Sequence, residues 1–204
     1  RSGHLALLRC RAGKTETVEL KMRVLGTYSD TAPYNCPKSA KIFEEACAAL
    51  QKETGMWQEI SGLAMLATGD PRFLPQIKAI AQAVGPSTLK YDMAKQVSVW
   101  HMGYQGIFLC EYYLLTGDKA VEHAIHEITV TLARGQSMYG TLGHGISDLT
   151  DEGKFHGSIP PYGPVNQAGL GANMAIVMGK RCGVKDPEVD AAVVRANGFF
   201  GYYV

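Results

Sequence analysis

One short turn, used three times, limits what this chain can fold into. Leu66-Ala-Thr-Gly-Asp-Pro, Leu115-Thr-Gly-Asp-Lys and the looser Cys182-Gly-Val-Lys-Asp-Pro occupy the same place in successive helix pairs. A glycine there stops one helix, and the aspartate can cap the next. Before the turns, Trp57–Thr68 is rich in Gly and Ala, while Trp100–Thr116 and Gly169–Cys182 are apolar nearly all round. Helices of that kind are expected to be buried on every side. After the turns the pattern becomes one-faced: Phe73, Ile77, Ile80 and Val84, then Val121, Ala124, Ile125, Ile128 and Leu132, then Val189, Val193, Ala196 and Phe200. Such a unit cannot bury its first helix alone, so units must stack. An open superhelix and a ring of hairpins (an α/α toroid) both satisfy this. Small residues such as Gly171, Ala172 and Ala175 permit close approach of inner helices and favour the toroid. Ile107, Phe108, Ala175 and Val177 are then expected to be more buried than Ala120, Glu122 and Glu188.

The first residues obey a different period. Thr15, Thr17, Glu19, Lys21 and Arg23 alternate with Val18, Leu20, Met22 and Val24, after a run from His4 to Arg11 and a Gly13 turn. This predicts a β-hairpin. A lone hairpin is marginal in water, so it is expected to be the tail of a small β-module or to pack on the residues C-terminal to it. Leu25–Pro37 reads as a linker, and Ile42, Phe43, Ala46, Cys47 and Leu50 mark the first amphipathic helix. The expected division is 1–36, module tail and linker, and 37–204, an incomplete α/α-hairpin domain. The chain begins at Arg1 and ends in the apolar run Phe199–Val204, so we expect the remainder of the same chain to be its first partner.

Charge and composition exclude several classes. With 20 basic and 19 acidic residues, the net charge of +1 gives no field to draw in nucleic acid or anionic lipid. The longest apolar stretch, Leu170–Met178, falls far short of the ~20 residues that span a bilayer. The five cysteines show no CxxC pair and no Cys/His metal spacing, so they read as small hydrophobes. A Cys36–Cys47 bridge is compatible with the sequence but not required, and the compartment stays open, an exported one included. P-loop, Rossmann, HExxH and GxSxG motifs do not occur, and no residue pattern points to a cofactor.

Chemistry is expected in the long connections. The turns sit at 69, 117 and 183, spacings of 48 and 66 residues, and the excess lies between Gly135 and Ala168. That connection and Gly85–Val99 are expected to open at one end, beside the N-termini of the inner helices, where amides favour anions. His144 lies between Gly143 and Gly145, which are expected to allow strained angles and expose the imidazole. Asp148 and His156 follow, with Tyr139, Tyr162 and Asn166 nearby for hydrogen bonding or sugar stacking. On the Trp100 helix, His101, Tyr104, Phe108 and Glu111 share a face, with Trp100 itself at the mouth. Glu111 is expected two turns deeper among apolar neighbours, where burial would suit a general acid. A second acid opposite it would come from Asp92, Asp148, Asp151 or Glu152. The catalytic candidates are therefore His144, Asp148, His101 and Glu111; those for substrate binding are Trp100, Tyr104, Tyr139, His156, Tyr162 and Asn166. The plainer reading is that the glycines and prolines only fold the loop, the histidines pack, and Glu111 tethers a neighbouring helix. His144, Asp148 and His156 are metal-ligand types without a recognised spacing, so no metal is assigned.

Two stretches carry a family resemblance. "LLRCRAGKTETVELKMRVLGTYSDTAPYNCPKSAKIFEEAC" resembles the end of a PDZ-like module and its exit linker. "YYLLTGDKAVEHAIHEITVTLARGQSMYGTLGHG" and "HGSIPPYGPVNQAGL" resemble the helical domain of a bacterial family in which such a module precedes a domain similar to the six-hairpin glycosidases. The resemblance implies a toroid and a carbohydrate-active domain working by hydrolysis or elimination. It supplies no catalytic residues. The second expectation is a non-catalytic module that grips a glycan or a peptide with the same end.

Overall fold

The computed structural model describes residues 3–22, 26–84, 98–147, 154–159 and 163–203. The chain divides into two units, Arg1–Ala49 and Leu50–Val204, which are taken separately.

In the first unit β1 (His4–Arg11) pairs antiparallel with β2 (Lys14–Lys21). Ala12 and Gly13 both have positive φ, 51° and 76°, as a two-residue hairpin turn requires. Leu5 opposes Leu20 and Leu7 opposes Val18 on one face. The linker from 26 to 36 is irregular and leads into α1 (Pro37–Leu50). Cys47 is the buried residue of α1, while Ile42 and Phe43 of the predicted apolar face are exposed. Cys36, just before the helix, accepts hydrogen bonds from Ser39 and Ser29 that hold its thiol down at about 6. It is not bridged to Cys47; all five cysteines are free.

The second unit is built from α2 (Met56–Ala67), α3 (Leu74–Gln82), α4 (Ser98–Thr116), α5 (Glu122–Gly135), α6 (Asn166–Arg181) and α7 (Pro187–Gly201). The chain is thus mainly helical, with one short antiparallel hairpin at its start. Each repeated turn works as its residues demand. Gly69, Gly117 and Gly183 have φ of 66°, 66° and 100°. Asp70, Asp118 and Asp186 then accept from the backbone N–H two residues on, at 2.9, 3.0 and 2.8 Å. Thr68 and Thr116 back up the first two turns: each hydroxyl donates to the preceding helix and accepts from the aspartate N–H.

The inner helices run parallel. Gly62 of α2 faces the ring of Phe108, while Gly103 and Gly106 of α4 face Ala172 and Ala175 of α6. A Cβ at Gly106 would sit 2.8 Å from that of Ala175, so small residues set this spacing. α5 returns antiparallel behind the pair, with Thr129 against Gly179 and Gln136 bonded to Asn173. α7 packs on α5 and α6.

Two expectations need correction. The apolar helices are not buried on every side: Trp100, Tyr104 and Ile107 of α4 are half-buried, and Leu114, Leu170, Met174 and Val177 are exposed. These positions lie on the side away from α5, leaving an open apolar flank. Val177, at 42% exposure, is consequently less buried than Glu188, which Arg195 and His156 pull in, although Phe108 and Ala175 are buried as expected. The first long connection also departs at the tight-turn end rather than beside the N-termini of the inner helices, and its residues 85–97 lie outside the described residues. α3 has only nine residues, about 13 Å of rise, and its Gln82 donates to Asp118 at the tight-turn end. The chain leaves α3 from there. The start of the connection after α5 is anchored in the core: Gln136, Ser137, Thr141 and Leu142 are buried, and Gln136 Nε2 reaches Gly140, Asn173 and Ala192.

Candidate functional site

Where α2 and α4 begin, an acid comes out of water without being fully paired. Glu59, in the first turn of α2, is 7% exposed. Its Oε1 accepts from Gln105 Nε2 at 3.0 Å and lies 3.2 Å from His101 Nε2. A carboxylate only accepts, so His101 Nε2 carries the proton toward it. Glu59 Oε2 is buried and has no hydrogen-bond partner among the described residues. Ser98 Oγ shares that condition, and it lies on the same stripe of α4 as His101 and Gln105. Burying such groups unpaired costs free energy, and two of the three buried polar side-chain atoms without a partner among the described residues, Thr141 Oγ1 being the third, belong to this stripe and to the acid bonded to it.

An aromatic cluster occupies the neighbouring stripe of α4, where Trp100 precedes His101. Trp100 Nε1 donates to His144 Nδ1 at 2.8 Å, and the two rings stack with centroids 6.1 Å apart. Tyr104 lies 6.2 Å from Trp100 in a tilted arrangement. The backbone joins in, for Val99 N donates to the His144 carbonyl. The long connection therefore does bring His144 to the start of α4.

The route differs from the expected one. Gly143 does not have a positive φ; it is needed because a Cβ there would lie 2.3 Å from Ile159 Cγ2 and 2.9 Å from Gly163 O. His144 is half-buried rather than exposed, and its Nδ1 lone pair is committed to Trp100, which removes it as a general base through that atom.

Other candidates are scattered. Glu111 is exposed on the open flank, so burial does not prepare it as an acid. His156 braces the connection against α7: Nδ1 lies 2.6 Å from Gln136 O and Nε2 2.9 Å from Glu188 Oε1. Tyr139 lines a different cleft with Arg195, Phe199 and Tyr202. Asn166 is exposed as the first residue of α6. Asp92, Asp148, Asp151, Glu152 and Tyr162 lie outside the described residues. The residue that sequence reasoning missed is Glu59. Its signal was faint but present: it is the only charged residue between Glu53 and Asp70.

A family model described as a domain of unknown function, DUF6288, matches residues 39–204. The chain belongs to the DUF6288 family. Glu59, Trp100, His101 and His144 all fall within the DUF6288 region. No curated protein and no solved structure matches the chain. No helix among the described residues is long and apolar enough to cross a membrane.

Proposed function

We propose that this domain acts on a glycan, by hydrolysis or elimination, at the corner where Glu59 and His101 meet Trp100. The observation that carries the reading is Glu59 Oε2, a buried carboxylate oxygen with no partner among the described residues, beside a part-exposed histidine. A carboxylate that orients an imidazole and supports its positive charge prepares it to move protons near neutral pH. The uncommitted oxygen of Glu59 keeps acceptor capacity behind the imidazole, and the part-exposed His101 is the group that would meet the substrate. Trp100 and Tyr104 give flat faces for the apolar side of a sugar ring. Parallel inner helices with an outer helix returning behind them support an arc of an α/α toroid of the six-hairpin kind. The preceding hairpin supports a PDZ-like tail.

The second reading is a binding module without catalysis. It is favoured by the Trp100–His144 pair, which occupies two polar atoms to hold a ring in place. A panel of neutral and uronate-containing polysaccharides separates the two. Hydrolysis releases reducing ends, and elimination also creates ultraviolet-absorbing unsaturated ends. Turnover lost in Glu59→Gln and His101→Asn, at least a hundredfold on the scale of acid–base contributions, is the expected result. Binding lost only in Trp100→Ala, with no turnover by the parent, would establish the binding module instead.

A further inference from the structure

Cys110 and Cys182 stand 72 residues apart in sequence and come from different hairpins. Cys110 is fully buried in α4, whereas Cys182, the residue after α6, is half-buried. The Cys182 S–H donates to the Cys110 carbonyl oxygen at 3.8 Å, and the two cysteine side chains interact electrostatically. Cys182 borders a cleft of about 400 Å³ that Glu122, His123, His126 and Val184 also line. The outer cysteine therefore borders space for a small molecule, and its sulfur rests against the backbone of the inner one. The Cys110 S–H holds Cys182 below the ordinary thiol range, assisted by Arg181 and opposed by burial and Glu111. The same interaction, with burial, pushes Cys110 up. An ionisable outer thiol with a protonated thiol near it is how a dithiol captures an oxidant and then resolves it.

We propose that Cys110 and Cys182 form a dithiol modification site, closed to a disulfide by a small-molecule disulfide such as oxidised glutathione. The Cys182 thiolate attacks one sulfur of the oxidant, forming a mixed disulfide and expelling one thiolate. Cys110 gives up its proton to solvent, attacks the Cys182 sulfur and expels the second thiolate. Two protein thiols are oxidised, one disulfide is reduced, and the protons end on the two small thiols. The bridge clamps α4 to the end of α6 at the tight-turn end of the inner layer, far from Glu59.

The test uses a Cys10→Ser chain, which lacks the exposed thiol. It is equilibrated with oxidised glutathione, and the cysteines are mapped by differential alkylation and peptide mass. The expected product joins the Cys110 and Cys182 peptides, retains no glutathione at Cys182, melts higher than the reduced chain and reverts with dithiothreitol. Cys110→Ser should trap glutathione on Cys182, and Cys182→Ser should leave Cys110 unmodified. A bridge between any other pair, glutathione persisting on Cys182 while Cys110 is intact, or both thiols unreacted would overturn the proposal. The mapping of the parent decides this even if a variant fails to fold.

Discussion

Trp100 and His144 fix each other's chemistry. An indole N–H can only donate, so His144 Nδ1 accepts and the ring proton resides on Nε2. The pair joins the start of α4 to a residue 44 positions away, so it holds the long connection as well as an aromatic face. His144→Ala and Trp100→Phe should each cost about 1 kcal/mol from the lost hydrogen bond, with some packing loss added. The double mutant should cost less than the sum, because both remove the same bond. Urea denaturation of the four chains measures this. A stability unchanged by His144→Ala would return the imidazole to the status of a solvated loop residue. Glu59 could not be read from the sequence in the same way. Its importance lies in contacts 42 and 46 residues distant, and no local pattern around Met56–Ala67 encodes them.

The helices themselves were largely legible, because periodicity and capping are local. Phe73, Ile77, Ile80 and Val84 are all buried as their spacing predicts, and the aspartates cap as the turns predict. What periodicity cannot tell is which apolar flank meets a neighbour, as Leu170, Met174 and Val177 show. Glycines separate the two cases experimentally. Gly106→Ala should destabilise by roughly 1–3 kcal/mol, because the new methyl meets Ala175 and Ile128. Gly198→Ala in α7 meets nothing within 4 Å and should stabilise by about 0.5–1 kcal/mol through helix propensity. Thermal unfolding of both variants is the measurement, and equal effects would mean that the α4–α6 seam is slack. The second turn has a pH signature too. Asp118 is held below its ordinary 3.8 by hydrogen bonds from the Tyr112 hydroxyl, the Ala120 N–H and Gln82, with Lys78 adding to them. A folded value below the unfolded one means the stabilisation is complete above about pH 4 and disappears as acid drives the pH down through the folded value. The stability gap between the parent and Asp118→Ala should therefore be full at neutral pH and close in stronger acid. A gap independent of pH would show that the cap works without its charge.

On the scale of the whole molecule, the open flank of α4 and α6 dominates. Leu114, Leu170, Met174 and Val177 are exposed together with half-buried Trp100, Tyr104 and Ile107. Contiguous apolar surface of this kind favours association. The purified chain should bind a hydrophobic dye or self-associate as its concentration rises, and Met174→Lys with Val177→Glu should reduce both effects. A dye-silent monomer across that range would mean that the flank is closed in solution. The other consequence concerns what this architecture lets change. At one end the inner helices are joined to the next by turns in which glycine, aspartate and twice a threonine have a fixed task, so a single inserted residue would shift the phase of the helix after it. At the other, the connection between α5 and α6 is anchored at Gln136–Leu142 but sets no such helical phase, so a change in its length need not rotate α6 against α4. Length variation in that connection would fall at the end that carries Glu59, His101 and Trp100, so that recognition can diversify while the α4–α6 seam stays in register.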